Sequence, residues 1–123
     1  MRSRLIIFSV FTVLFFAALS VYSVAGQTGP IVGGYGDISA TSRDARRAAD
    51  VAVSSRSAKT GKTITLVRIK KAESQVVAGL NYRICMTVRE GRRKPYTVTA
   101  VVYQNLKNKR VLSNWKKGDC TDL

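Results

Sequence analysis

The sequence predicts an α+β fold, in which one N-terminal α-helix packs on a four- to five-stranded antiparallel β-sheet. Helical spacing of apolar residues is confined to one segment, at about 42–57. From residue 63 onwards the pattern changes to β-branched and alternating apolar residues, interrupted by polar reversals. One helix followed by sequential hairpins places the helix on one face of an antiparallel meander.

The first 25 residues are predicted to be a secretory signal peptide. Met1–Arg4 is basic, an uncharged apolar run follows, and Ser23-Val24-Ala25 places small residues where a signal peptidase cleaves. An uncleaved membrane anchor is the alternative, since about 20 apolar residues can span a bilayer. We expect secretion to the extracellular space or the periplasm, with 26–123 as a single domain.

The N-terminal part of this domain is predicted to be a flexible lead-in followed by the helix. The segment Gln27–Asp37 is rich in glycine. Thr41 is the expected N-cap, with Asp44 as an acid in the first turn. The apolar side of the helix consists mostly of alanines, which allow close approach to the sheet. Its members are Ala45, Ala48, Ala49, Ala52 and Val53.

Four strands are predicted after the helix: Thr63–Lys71, Leu80–Val88, Tyr96–Tyr103 and Arg110–Lys117. The second alternates cleanly, so its apolar residues share one face and Cys85 lies on the other. Trp115 is placed in the last strand, on a sheet face or in the core.

The link between the first two of these strands is Gln75-Val76-Val77-Ala78-Gly79. Its terminal glycine suits a tight reversal that requires a positive φ. Hairpin tips are usually polar, whereas this one is apolar. An exposed apolar tip indicates a surface that a partner covers.

Composition excludes most catalytic sites. The chain contains no histidine, so Ser-His-Asp and Cys-His nucleophilic sites are excluded, and its few carboxylates are scattered. We therefore expect a protein that is not an enzyme and holds no cofactor and no metal. The only two cysteines, Cys85 and Cys120, permit one intramolecular disulfide, worth about 3–4 kcal/mol in the chain-entropy model.

The ordered motifs resemble those of the cystatins, inhibitors of papain-like cysteine proteases. Gln75–Gly79 resembles their first inhibitory hairpin, and Ile31-Val32-Gly33-Gly34-Tyr35 resembles the V-G-G-aromatic lead-in of plant-type members. Val51-Ala52-Val53 is similar to the end of their helix signature, and Leu66–Ala72 to the strand before the hairpin. The chain resembles a plant-type or microbial single-domain cystatin.

This resemblance implies a wedge of three segments that fills a protease active-site cleft without presenting a scissile bond. The implied protease-binding residues are Gly33, Gly34, Gln75, Val76, Val77, Ala78, Gly79, Leu106 and Lys107. Two departures are notable. The second hairpin, Asn105–Lys109, has a basic tip where the family often carries Pro-Trp, and plant-type members generally lack cysteines. We expect a monomer whose partner is a papain-like protease.

The net charge of +14 leaves a second function open. A basic cystatin-fold module could bind polyanions or membranes without inhibiting a protease. Specific nucleic-acid reading is not expected, because the sequence has no basic stripe interleaved with aromatic residues. Weak polyanion binding through the basic surface is expected alongside inhibition. A pro-domain or binding module is a further alternative, since a fold alone does not establish a function.

Overall fold

The computed structural model describes residues 33–122. Its elements are β1 (Tyr35–Ile38), α1 (Arg43–Thr60), β2 (Ile64–Val77), β3 (Gly79–Glu90), β4 (Tyr96–Gln104), β5 (Arg110–Lys117) and a 3₁₀ turn (Cys120–Asp122). The strands form one antiparallel sheet in the order β1-β2-β3-β4-β5. This confirms the predicted α+β fold. The predicted signal peptide and Ile31-Val32 lie outside the described residues.

Helix α1 begins one residue later than predicted and ends later as well. Ser42, and not Thr41, is the N-cap: its Oγ accepts a hydrogen bond from the Ala45 backbone N–H at 3.2 Å. At the other end Gly61 has φ 69°, and its N–H donates to the Ser57 carbonyl at 2.9 Å. This left-handed cap ends the helix at Thr60.

The core lies between α1 and one face of the sheet, as the two periodicities predicted. The four alanines on the apolar side of the helix are fully buried and Val53 is nearly so. Small side chains here allow the helix to lie close to the larger residues of the sheet. Those residues are Tyr82, Ile84, Met86, Val88, Val98 and Val102. Trp115 packs against this cluster from β5, in agreement with the predicted core or sheet-face position.

Strand β2 is 14 residues long, whereas the predicted strand Thr63–Lys71 has nine. Its pairing with β3 shifts register between Leu66 and Arg68 and again between Ile69 and Lys71. Each bulge adds an unpaired residue and breaks the period of two. The sequence pattern therefore ended near Lys71, although the ladder continues to Val77.

The lead-in is not wholly irregular, because its last part belongs to strand β1, which the sheet has in addition to the four strands predicted after the helix. β1 pairs antiparallel with the distal half of β2, from Tyr35 opposite Gln75 to Ile38 opposite Ala72. Glycine and aspartate inside β1 have low strand propensity, which explains why the local pattern did not predict it. The pairing is decided by the extension of β2.

The disulfide predicted between Cys85 and Cys120 is present, with 5.5 Å between the two Cα atoms. Cys85 lies on the outer face of the sheet, which is the face away from α1. The 3₁₀ turn that carries Cys120 packs against β4. The bridge thus fastens the C-terminal segment to the outer face. Within residues 33–122, no helix is long and apolar enough to cross a bilayer.

Candidate functional site

Three predicted contact segments lie at one end of the sheet. One row of paired residues crosses all five strands: Tyr35, Gln75, Asn81, Tyr103 and Val111. Gly33–Gly34, the Val76–Gly79 reversal and the Asn105–Lys109 loop all lie beyond this row on the same side. We call Gly33–Gly34, Gln75–Gly79 and Asn105–Lys109 together the wedge end.

The first hairpin is tighter than the five-residue link that the sequence predicted. Val77 pairs directly with Gly79, so that Ala78 alone lies between the two strands. Gly79 has φ 112°, a value that L side chains rarely adopt. A Cβ placed on Gly79 would lie 2.2 Å from the backbone oxygen of Gln104. Glycine is therefore required both by the turn and by the close approach of β4.

The tip of this hairpin is apolar and held in place from behind. Val76 and Val77 are 37% and 40% exposed, and Ala78 is also exposed. The Tyr103 hydroxyl donates a hydrogen bond to the Ala78 carbonyl. The tip is thus preorganised, with its apolar side chains facing solvent.

The predicted contact residue Gln75 has a bracing position in this structure. Its Nε2 donates to the Gly33 carbonyl at 2.8 Å, and its Oε1 accepts from Asn81 Nδ2 at 2.9 Å. The side chain thereby fastens the N-terminal segment to the first hairpin. Gly33 has φ 94° with open space around its Cα, so the chain can approach a partner closely there.

A partly buried ion pair holds β1 beside this end of the sheet. Arg83 Nε donates to Glu73 Oε2 at 2.7 Å, and the Arg83 guanidinium lies 3.9 Å from the centre of the Tyr35 ring. Lys71 Nζ lies 3.3 Å from Glu73 Oε1. The hydrogen bond from Arg83 lowers the pKa of Glu73 most, Lys71 lowers it further, and burial partly opposes both. Charge and aromatic stacking therefore stabilise the strand that carries Gly33–Gly34.

The second loop is rigid although its sequence is polar. Asn105 Oδ1 accepts from the backbone N–H groups of Lys107 and Lys109, both at 2.9 Å. Asn108 adopts the left-handed region at φ 63°, and its Oδ1 accepts from Gln104 Nε2 at 3.0 Å. An asparagine side chain that caps its own turn is a common device in reversals.

Leu106 projects from this rigid loop with 82% of its surface exposed, the largest exposure among the exposed large hydrophobic residues of the described chain. Lys107 and Lys109 flank it and are also exposed. The loop therefore presents one apolar side chain between two cations. Trp115 is remote from this loop, because it is paired with Ala100 near the middle of the sheet.

Sequence reasoning did not identify the residues that support the wedge end. Tyr103, Asn81 and Asn105 have no contact role in the predicted set, yet each holds a wedge segment in position through hydrogen bonds. The role of Asn105 could have been predicted from turn chemistry, since an Asn side chain in a polar reversal often accepts a hydrogen bond from the backbone N–H two residues further on. The partners of Tyr103 and Asn81 depend on strand register and left no local signal.

The described chain, residues 33–122, holds no group of three or more acidic, cysteine or histidine residues that could bind a metal ion. The disulfide lies well away from the wedge end. Cys85 is four residues along β3 from Asn81, about 14 Å at the rise of a strand.

Comparison with known proteins places this arrangement in a family. The family description of the cystatin domain matches residues 33–122. The crystal structure of the salivary cystatin from the soft tick Ornithodoros moubata superposes with a TM-score of 0.59 at 22% identity, covering 72% of this chain and 100% of the tick chain. The crystal structure of Al-CPI gives a TM-score of 0.58 at 16% identity, covering 70% of this chain and 100% of the other.

These structural likenesses establish a shared fold. No curated protein sequence matches the chain. The family match extends over all of the described residues and includes each segment of the wedge end. The chain therefore belongs to the cystatin family.

Proposed function

We propose that this protein is a secreted, reversible inhibitor of papain-like cysteine proteases, which inserts its wedge end into the active-site cleft. The observation that carries the proposal is the convergence of three preorganised segments at one end of the sheet, with exposed apolar side chains at two of them. Residues 26–123 are the proposed mature inhibitor, released from a signal peptide at 1–25. The chain has no role as an enzyme in this proposal.

The two hairpin tips supply most of the proposed contact. Val76, Val77 and Leu106 are exposed in the isolated protein and would lose water in a cleft. Covering an exposed leucine side chain contributes about 1.5–3 kcal/mol. Although this second tip lacks an aromatic residue, Leu106 gives it an apolar contact in addition to the charges of Lys107 and Lys109.

The inhibitor is not expected to be cut as a substrate. A protease needs an extended segment with an accessible carbonyl in the attack geometry. At the first tip the chain reverses around Ala78, and the Ala78 carbonyl already accepts a hydrogen bond from Tyr103. Gly33–Gly34 is held alongside by Gln75, which keeps these two segments in one arrangement and lowers the entropy lost on binding.

Titration of active papain with the purified protein tests the proposal directly. We expect stoichiometric, reversible inhibition and an uncleaved inhibitor by mass spectrometry. Absence of inhibition at micromolar protein would contradict the proposal and favour a binding module that uses the fold for another partner. Mass analysis of the protein exported from cells that express the full chain tests the predicted removal of residues 1–25.

The contribution of Leu106 is tested with a matched control. Leu106→Ala is expected to weaken inhibition about tenfold, because it removes exposed apolar surface from the second tip. Val67 is 47% exposed but lies on a bulge of β2 outside the wedge end, so Val67→Ala should inhibit like the wild type. Equal inhibition by all three proteins would show that the second loop is not an apolar contact.

The two lysines of the same loop are expected to act mainly on association. Lys107→Gln combined with Lys109→Gln should lower the association rate and its salt dependence, and leave the dissociation rate nearly unchanged, because exposed charges are screened by salt. A large rise in the dissociation rate at high salt would show instead that these side chains are buried in the complex.

A further inference from the structure

The outer face of the sheet carries a second surface that the wedge end does not use. Three exposed cations, Arg68, Lys70 and Arg89, lie on β2 and β3 in the half of the sheet away from the wedge end. Lys116 on β5 extends the same surface, since it pairs with Thr99 of β4. We call these four residues the outer basic face.

Strand register shows that these cations share one face. Arg68 pairs with Thr87, and Thr87 with Thr97, so all three point away from α1. Lys70, the bulge residue, reaches along this face, where its Nζ donates to Thr97 Oγ1 at 3.5 Å. Arg89 pairs with Thr65 on the same side. The surface spans four strands, about 14 Å across.

None of the four cations forms an ion pair with a carboxylate among residues 33–121, whose side chains the structure describes. On the same face Glu73 is already paired with Arg83 and Lys71. Asp119 lines a hollow with Lys116, on the side of this face that β5 forms. On α1, by contrast, two carboxylates, Asp44 and Asp50, lie among the basic residues and pair with Arg110 and Arg46. Arg68, Lys70 and Arg89 thus form a cluster of positive charge on this face.

Its chemistry favours a sulfated polysaccharide over other polyanions. Threonines separate the cations, and the outer-face aromatic residues Tyr35 and Tyr103 both lie in the row that borders the wedge end. A single-stranded nucleic acid would need aromatic platforms on which its bases could stack. An anionic membrane would need exposed apolar residues on this face that could insert into it. The exposed Val67 does not meet this need, because it lines a hollow with Ala40 and Arg46 at the helix side of the sheet edge.

We infer that the outer basic face binds sulfated polysaccharide chains, through charge and hydrogen bonding, at a site separate from the wedge end. A linear sulfated chain carries repeated anionic groups and can contact several of the four cations together. Displacement of its counterions makes such binding strongly dependent on salt. This activity does not depend on protease inhibition and would accompany it on the same molecule.

The experiment compares two variants of equal charge. The first replaces three cations of the outer basic face, as Arg68→Gln, Lys70→Gln and Arg89→Gln. The control replaces three exposed, unpaired cations of α1, as Arg43→Gln, Arg47→Gln and Lys59→Gln. Both lower the net charge by the same amount. The dissociation constant for heparin is measured over a range of salt concentrations, without protease, after circular dichroism has shown that each variant is folded.

We expect the outer-face variant to bind heparin at least about tenfold more weakly than the wild type. The slope of the logarithm of the association constant against the logarithm of the salt concentration should become smaller in magnitude by about two to three. The helix variant should stay within about threefold of the wild type. Equal weakening by both variants would show that net charge alone attracts heparin, and would overturn the inference. Tighter binding of a single-stranded oligonucleotide or of phosphatidylserine vesicles at the same salt would overturn the assignment to sulfated polysaccharide.

Discussion

Gly79→Ala tests the geometry of the first hairpin most directly. The substitution adds one Cβ at a residue with φ 112°, where the new atom would lie 2.2 Å from the Gln104 backbone oxygen. These atoms must separate to at least 3.0 Å, so either the tip or the end of β4 moves. The contact with β4 therefore adds a structural cost to the strain of the turn itself.

The expected cost has two parts. A positive φ at a non-glycine residue costs about 1–3 kcal/mol, and overpacking against a fixed backbone atom adds about 1–3 kcal/mol. Gly91→Ala is the matched control, because Gly91 also has a positive φ, at 57°, but has open space around it and lies at the opposite end of the sheet. Both substitutions reduce the entropy of the unfolded chain equally, so this effect cancels in the comparison.

Urea unfolding and papain titration measure the two consequences. We expect Gly79→Ala to be less stable than Gly91→Ala by at least about 1–3 kcal/mol, because overpacking acts only at residue 79 and φ 112° lies outside the left-handed region that alanine can adopt. We also expect it to inhibit papain at least about tenfold more weakly, because the tip is displaced, while Gly91→Ala inhibits like the wild type. If both variants have the same stability and the same inhibition, the reasoning from the close approach of β4 is refuted.

Three further predictions concern the supports of the site. Tyr103→Phe removes the hydrogen bond to the Ala78 carbonyl, worth about 0.5–1.5 kcal/mol, and should weaken papain inhibition by up to about tenfold; unchanged inhibition would show that the tip holds its shape alone. Reduction of Cys85–Cys120 should lower the free energy of unfolding by about 3–4 kcal/mol but leave inhibition intact at 25 °C, whereas loss of inhibition by folded, reduced protein would contradict the separation of bridge and site. The lowered pKa of Glu73 contributes stability that is present above the ordinary carboxyl pKa of 4.5 and is lost as the pH falls through the folded-state value. Glu73→Gln should therefore make the free energy of unfolding depend less steeply on pH in the acid range. An unchanged slope would argue against the pairing with Arg83.

The sequence by itself determined the fold class and the principal candidate contact motif, because both depend on local periods and short motifs. Alanines at helical spacing predicted the buried side of α1, and alternation in β3 placed Cys85 on the other face of the sheet from Ile84. The apolar tip at Val76–Ala78 and the φ requirement of Gly79 were likewise readable in order along the chain. Two cysteines left one possible bridge, which the structure contains.

The tertiary structure alone decided where long-range pairing occurs. Strand β1 exists because β2 continues past two bulges, and neither bulge has a local signature. The clash at Gln104, the brace from Gln75 to Gly33 and the hydroxyl of Tyr103 all join residues that are distant in sequence. The basic residues also divide between two regions: Lys107–Arg110 lie at the wedge end, and Arg92–Lys94 lie at the other. Side-chain direction on a sheet depends on register, which one inserted residue reverses, so the outer basic face becomes visible only once the strands are paired.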